Sequence, residues 1–142
     1  MIYDADTGGQ PEIFRFTVRS LEKLGASMAI IEDKAGLKQN SLFGTERKQQ
    51  LAEIDDFCAK IKAGQEAKED PNFMITARLE ALIAGHGQAE ALKRAVAFTA
   101  AGADAVMIHS KDKSPAEVLE FLEAYHKVYG VCDGIDGVTR SV

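Results

Sequence analysis

The strongest constraint on this sequence is the alternation of short apolar runs with longer amphipathic stretches. Met28–Ile31, Phe73–Ala77 and Ala105–Ile108 are apolar runs of strand length, and they end at Glu32, Arg78 and His109. Between them the apolar spacing turns helical. Phe14, Val18 and Leu21 repeat at i, i+4 and i+7 within about Pro11 to Leu24, and Leu51, Ile54, Phe57, Cys58 and Ile61 mark a second helix. Leu92, Ala95, Val96 and Thr99 share a face of a third, around Gln88 to Ala101, and Val118, Leu122, Tyr125 and Tyr129 a face of the last. Pro11 suits a first helical position, Gly25 and Gly102 suit helix stops, and Ser114-Pro115-Ala116-Glu117 reads as a capping box. Ile2 to Asp6 is too short to assign alone, but its place before a helix makes it the first of four βα units. Such a series predicts a parallel α/β sheet with helical cover. Gly64 to Asn72 reads as a polar connection. Lys34 to Arg47 is a polar loop, long for a link inside a compact domain.

Composition narrows the classes. With 142 residues, 46% hydrophobic and 27% charged, the chain suits one globular domain, 1–142, with a tail at 130–142 lacking periodicity. Seventeen Lys and Arg against 22 Asp and Glu leave no basic footprint, so neither nucleic acid nor an anionic membrane is an expected partner. No apolar run approaches the roughly 20 residues of a spanning helix, and the first residues lack the pattern of a signal peptide. Cys58 and Cys132 form no CxxC pattern, which fits a reducing cytoplasm, and Cys58 beside Phe57 reads as a core filler.

Polar side chains gather where the apolar strands stop: Asp4 and Asp6, Glu32 and Asp33, Arg78 and Glu80, His109 and Ser110. In parallel α/β folds ligands bind beyond the carboxyl ends of the strands. Asp4 and Asp6, two apart on a strand, would leave on one face, where two carboxylates need a cation or a donor between them. All-oxygen ligation suits Mg²⁺, and Glu32 could complete the set; the plainer alternative is that Asp4 or Asp6 caps the following loop. Arg78 could grip a carboxylate or phosphoryl group, or pair internally with Glu80. His109 could donate to the same anion. His86 and His126 read as structural.

Asp4-Ala5-Asp6-Thr7-Gly8, Glu32-Asp33-Lys34, Lys38-Gln39-Asn40-Ser41-Leu42, Ala77-Arg78-Leu79-Glu80-Ala81 and Ile108-His109-Ser110-Lys111 occur in that order. Together they resemble the phosphoenolpyruvate mutase branch of the isocitrate lyase superfamily, from about Tyr3 to Tyr125. The resemblance implies a TIM-type (β/α)₈ barrel with its site at the strand C-termini, of which about four units are present. The lyases of that superfamily carry a Lys-Lys/Arg-Cys-Gly-His signature in the long loop; this loop has neither Cys nor His. Asn40 resembles the mutases, where the phosphonopyruvate hydrolases have Thr.

The implied activity is interconversion of phosphoenolpyruvate and phosphonopyruvate, with hydrolysis of phosphonopyruvate as the alternative. By the same resemblance Asp4, Asp6 and Glu32 hold Mg²⁺, and Arg78 and His109 stabilise the transferring phosphoryl group. Lys38 and Asn40 ride on a gating loop, and Ser41, Leu42 and Ser110 bind substrate. A closed site would keep water from a metaphosphate-like transition state. A full barrel needs about 250 residues, so the resemblance also implies a fragment or truncated reading frame lacking two strands that carry substrate contacts. Exposed sheet edges then predict a homo-oligomer or pairing with another fragment, and a rim kept without the missing strands leaves a metal-binding or assembly module without turnover as the alternative.

Overall fold

A computed structural model describes residues 1–35 and 50–129 of the chain. Eight elements follow in strict alternation: β1 (Ile2–Asp4), α1 (Pro11–Lys23), β2 (Met28–Glu32), α2 (Ile54–Ala67), β3 (Met74–Leu79), α3 (Gly87–Ala100), β4 (Ala105–Ile108) and α4 (Ala116–Tyr129). The strands form one parallel sheet in the order β1-β2-β3-β4. This is the α/β architecture predicted from the alternation.

Strand periodicity divides the sheet's two faces. Ala29, Ile31, Ile75, Ala77, Leu79, Val106 and Ile108 share the core with Phe14 and Val18 of α1, Phe57 and Ile61 of α2, Phe98 of α3 and Phe121 of α4. All four helices therefore cover one face, and consecutive helices pack side by side. Phe57 and Phe98 meet with ring centroids 4.5 Å apart, tying α2 to α3. The other face carries Ile30 and Glu32, Thr76 and Arg78, and Met107, in register across β2, β3 and β4.

The α1 stripe is buried as its spacing predicts. Three other readings need correction. Helix α2 runs on to Ala67, so Gly64 belongs to a helix and not to a connection. A Cβ at Gly64 would lie 2.5 Å from Phe14 Cε1 and 2.6 Å from Ile75 Cδ1, so its bareness is what lets α2 approach α1 and β3. The buried face of α3 is Ala91, Arg94, Ala95 and Phe98, one position from the predicted stripe, because Phe98 and a partnered arginine fill the space over the sheet. In α4, Phe121 is buried and Tyr129 is exposed, since Phe121 stacks with Tyr125 over the core. The capping box also differs: Ala116 N donates to Ser114 Oγ, but the Glu117 carboxylate accepts from Ser110. Cys58 is half-buried, its thiol donating to the Ala97 carbonyl.

Gly64→Ala tests the close approach. On an open helix face this change is stabilising by up to about 1 kcal/mol. Here overpacking against Phe14 and Ile75 is expected to lower stability by about 1–3 kcal/mol, read as a lower urea midpoint with an unchanged slope.

Candidate active site

The strand ends converge because the register is parallel and unshifted. Glu32 and Arg78 are direct partners across β2 and β3, so their side chains leave on the same face. Asp33 N donates to the Arg78 carbonyl, and His109 N to the Leu79 carbonyl, extending the ladders one residue past the strands. Arg78 lies at the centre. Its Nε donates to Glu80 Oε1 at 2.6 Å, its Nη2 lies 3.6 Å from Glu32 Oε2, and its Nη1 lies 3.9 Å from Asp4 Oδ2. His109 Nδ1 is 2.8 Å from Glu80 Oε1 and 3.0 Å from Arg78 Nη2. The internal-pairing reading of Arg78 is thus realised, with Glu80 as its nearest partner and Asp4 and Glu32 farther along the fork.

Behind this rim lies a buried set of charges that the motif reading left without roles. Glu80 has no exposure, and Lys34 Nζ sits 3.2 Å from Glu80 Oε2 and 3.5 Å from Glu32 Oε2. Burial alone would raise the Glu80 carboxyl. The hydrogen bond from His109, and the charges of Arg78, His109 and Lys34, outweigh that and hold it at about 2. Burial dominates at Glu32, whose carboxyl is raised although Lys34 and Arg78 pull it down. Asp33 is also fully buried: Oδ1 accepts from Glu80 N at 2.8 Å, and Oδ2 accepts from Arg94 Nη1 at 3.1 Å. Burial pushes the Asp33 carboxyl up to about 6 against those two partners. Arg94 further donates to the Ala52 carbonyl and to Glu90.

Asp6 departs from expectation. β1 ends at Asp4, and Asp6 lies in a turn with φ of 52°, a left-handed conformation that Asp tolerates better than most residues. The cause is local: Asp4 Oδ1 accepts from Asp6 N at 2.9 Å, bending the chain out of the strand. The same-face argument from strand alternation therefore fails, and the capping alternative for Asp4 is realised. The turn still keeps Asp6 at the rim, because its carbonyl accepts from Glu32 N at 2.7 Å. Ser110 Oγ donates to Glu117 Oε2 at 2.6 Å and accepts from Asp112 N, so its hydroxyl faces the start of α4. Lys38, Asn40, Ser41 and Leu42 lie outside the described residues. So does the tail, 130–142.

The ends of the segment carrying those four residues are nevertheless fixed. Lys34 and Leu51 form an antiparallel bridge, Ala35 N donates to the Gln50 carbonyl, and Ala52 N donates to the Asp33 carbonyl. The chain leaves and returns beside Glu32. Below this neck, a cavity of about 680 Å³ is lined by residues that include Thr7, Gln10, Lys34, Gln50, Asp56 and Lys60. Lys60 donates to the Thr7 carbonyl, and burial lowers its ammonium pKa.

The carboxylates offer the hard oxygen donors that Mg²⁺ prefers, and the buried Glu32 would gain from a cation. Among the described residues no three metal-ligating side chains already converge, because Arg78 lies between Asp4 and Glu32.

The Asp33–Arg94 pair gives a direct test of the buried layer. Arg94→Met leaves a buried carboxylate without its partner and is expected to cost about 3–5 kcal/mol at neutral pH. The sign follows from the raised carboxyl. Below about 4 the Asp33 group is protonated and the penalty is small; it grows as pH rises through about 6, where the wild-type carboxyl ionises against Arg94. Urea titrations of both proteins between pH 4 and 8 would show the gap widening; a pH-independent gap would refute the pairing.

The comparisons agree with this fold. The family model for phosphoenolpyruvate phosphomutase matches residues 1–135. The chain is 44% identical over 126 residues to a phosphonopyruvate hydrolase of Variovorax sp. (strain Pal2), covering 88% of this chain and 43% of that protein. It is equally 44% identical over 126 residues to a phosphoenolpyruvate phosphomutase of Tetrahymena pyriformis, covering 88% and 42%. The chain therefore spans well under half the length of these curated relatives. Among solved structures, a phosphoenolpyruvate phosphomutase from Streptomyces platensis subsp. rosaceus superposes with a TM-score of 0.85 at 39% identity, over 99% of this chain and 54% of that one. A phosphonopyruvate hydrolase in complex with oxalate and Mg²⁺ superposes with a TM-score of 0.78 at 42% identity, over 87% and 41%. With parallel βα units ending in this rim, the chain belongs to the phosphoenolpyruvate phosphomutase family.

Proposed function

We propose that this chain carries the phosphoryl-handling half of an enzyme interconverting phosphonopyruvate and phosphoenolpyruvate. The observation that supports it best is the meeting of Arg78 and His109 with Asp4 and Glu32 at one edge of the sheet. A cationic fork and an imidazole suit phosphoryl oxygens, and the carboxylates beside them suit a divalent cation. In the reaction the carbon–phosphorus bond breaks and an oxygen–phosphorus bond forms, so no other reactant enters. Mg²⁺, held by Asp4, Asp6 and Glu32 directly or through water, would supply positive charge against the pyruvyl oxygens and the enolate.

Arg78 and His109 would orient the phosphoryl group and balance charge on its oxygens as it moves. Lys34 and Glu80 keep both from swinging away. By the family resemblance, Lys38 and Asn40 complete the site from the segment between Ala35 and Gln50, with Ser41 and Leu42 beside them; Ser110 is a substrate contact by resemblance alone, since its hydroxyl is bonded to Glu117. The neck returns that segment to the rim, which supports this assignment. Among the described residues β1 pairs only with β2 and exposes Ile2 and Tyr3, which favours self-association. No helix among the described residues is long and apolar enough to cross a membrane; a cytoplasmic location rests on the cysteine usage.

The second reading, hydrolysis of phosphonopyruvate, is favoured by the equal identity to a hydrolase. Asn40 tips the choice toward the mutase. Phosphorus-31 NMR of the chain with phosphonopyruvate and Mg²⁺ separates the readings. Phosphoenolpyruvate as product supports the mutase, free phosphate the hydrolase, and neither from folded protein overturns both for this chain in favour of a metal-binding module. Asn40→Thr is expected to raise the share of phosphate; an unchanged ratio would remove Asn40 from the product choice. Asp4→Ala is expected to weaken Mg²⁺ binding about tenfold or more, measured by calorimetry, and full retention of affinity would strike Asp4 from the ligand set.

A further inference from the structure

The contacts of His109 contain a conflict that only one arrangement of protons resolves. Its Nδ1 lies 2.8 Å from Glu80 Oε1 and 3.0 Å from Arg78 Nη2. A carboxylate only accepts and a guanidinium only donates, so Nδ1 cannot satisfy both. If Nδ1 were bare, it would accept from Arg78 and set its lone pair against a carboxylate oxygen that has no access to water. If Nδ1 carries a proton, it donates to Glu80 across the shorter contact. Arg78 is already bound to that same Oε1 through Nε at 2.6 Å, so the guanidinium needs no bond to the ring. The second arrangement satisfies the buried carboxylate and leaves no anion facing a lone pair.

From this geometry we infer that Glu80 is a positioning residue that fixes His109 with its proton on Nδ1 and presents Nε2 to the phosphoryl group, while clamping Arg78 by Nε so that its two Nη groups serve the same ligand. The inference rests on the phosphoryl-transfer reading for the identity of the ligand, but the proton assignment does not. Glu80 itself is held from behind: its amide donates to Asp33 Oδ1 and its Oε2 faces Lys34 Nζ at 3.2 Å. One carboxylate thereby sets the aim of both candidate phosphoryl ligands, from a place where no substrate can touch it. To bond an anionic phosphoryl oxygen Nε2 must itself donate, and Glu80 still accepts from the inner proton.

Nitrogen-15 spectra of the His109 ring, assigned by loss of signal in His109→Asn, test this in the full chain without ligand. The expected result is a proton on Nδ1 in the wild type, and a shift of the tautomer toward Nε2 in Glu80→Met, which has no oxygen to accept from Nδ1. A wild-type ring protonated on Nε2 overturns the inference, and that measurement does not depend on the variant folding. A variant that loses stability with its tautomer unchanged also overturns it, because Glu80 would then be only a structural ion. Phosphonopyruvate binding with Mg²⁺, followed by calorimetry, is expected to weaken about tenfold or more in Glu80→Met. A wild-type chain with the Nδ1 tautomer but no phosphonopyruvate binding would sink the phosphoryl-transfer reading and leave the Glu80–His109 assignment standing.

Discussion

The rim depends on a carboxylate that never meets water. Glu80 is fully buried, and a charge in that position is tolerated only when donors and cations surround it. Arg78, His109 and Lys34 do so, and each is held in place by the partnership it completes. The support continues inward. Asp33 receives the Glu80 amide and faces Arg94, which also binds the Ala52 carbonyl. Buried pairs thus run from the middle of α3 to the half-buried fork of Arg78. They link the sheet edge, the neck and a helix into one rigid unit, in which few side chains could turn without stranding a charge.

A parallel sheet spreads such a site along the whole sequence. Asp4 comes from the first strand, Glu32 from the second, Arg78 from the third, and His109 follows the fourth. Neighbours across the rim are tens of residues apart in the chain. No local segment can form the site before the sheet has paired, so site and fold are expected to appear together during folding.

Much of this was legible from residues alone. The helical spacing of Phe14, Val18 and Leu21 sets the buried face of α1, and four of the polar residues at the strand ends, Asp4, Glu32, Arg78 and His109, meet at the rim. What escaped depended on distance in space. Gly64 reads as loop punctuation until Phe14 and Ile75 are seen pressing on it. The α3 stripe slips by one position because Arg94 is buried, and a buried arginine is unreadable before its partner Asp33 is known. Asp6 leaves the strand because the Asp4 side chain turns the backbone, a competition that alternation cannot foresee. Glu80 was visible only as a possible mate for Arg78; nothing in its spacing announces three partners.

The neck between Asp33–Ala35 and Gln50–Ala52 closes the chain on itself before α2 begins. Closure entropy grows slowly with loop length, so additions or deletions between those ends would cost the scaffold little. The sheet and helices can therefore be inherited intact while the intervening stretch is rewritten. If that stretch decides the product, as proposed for Asn40, chemistry can diverge there without any repacking of the core.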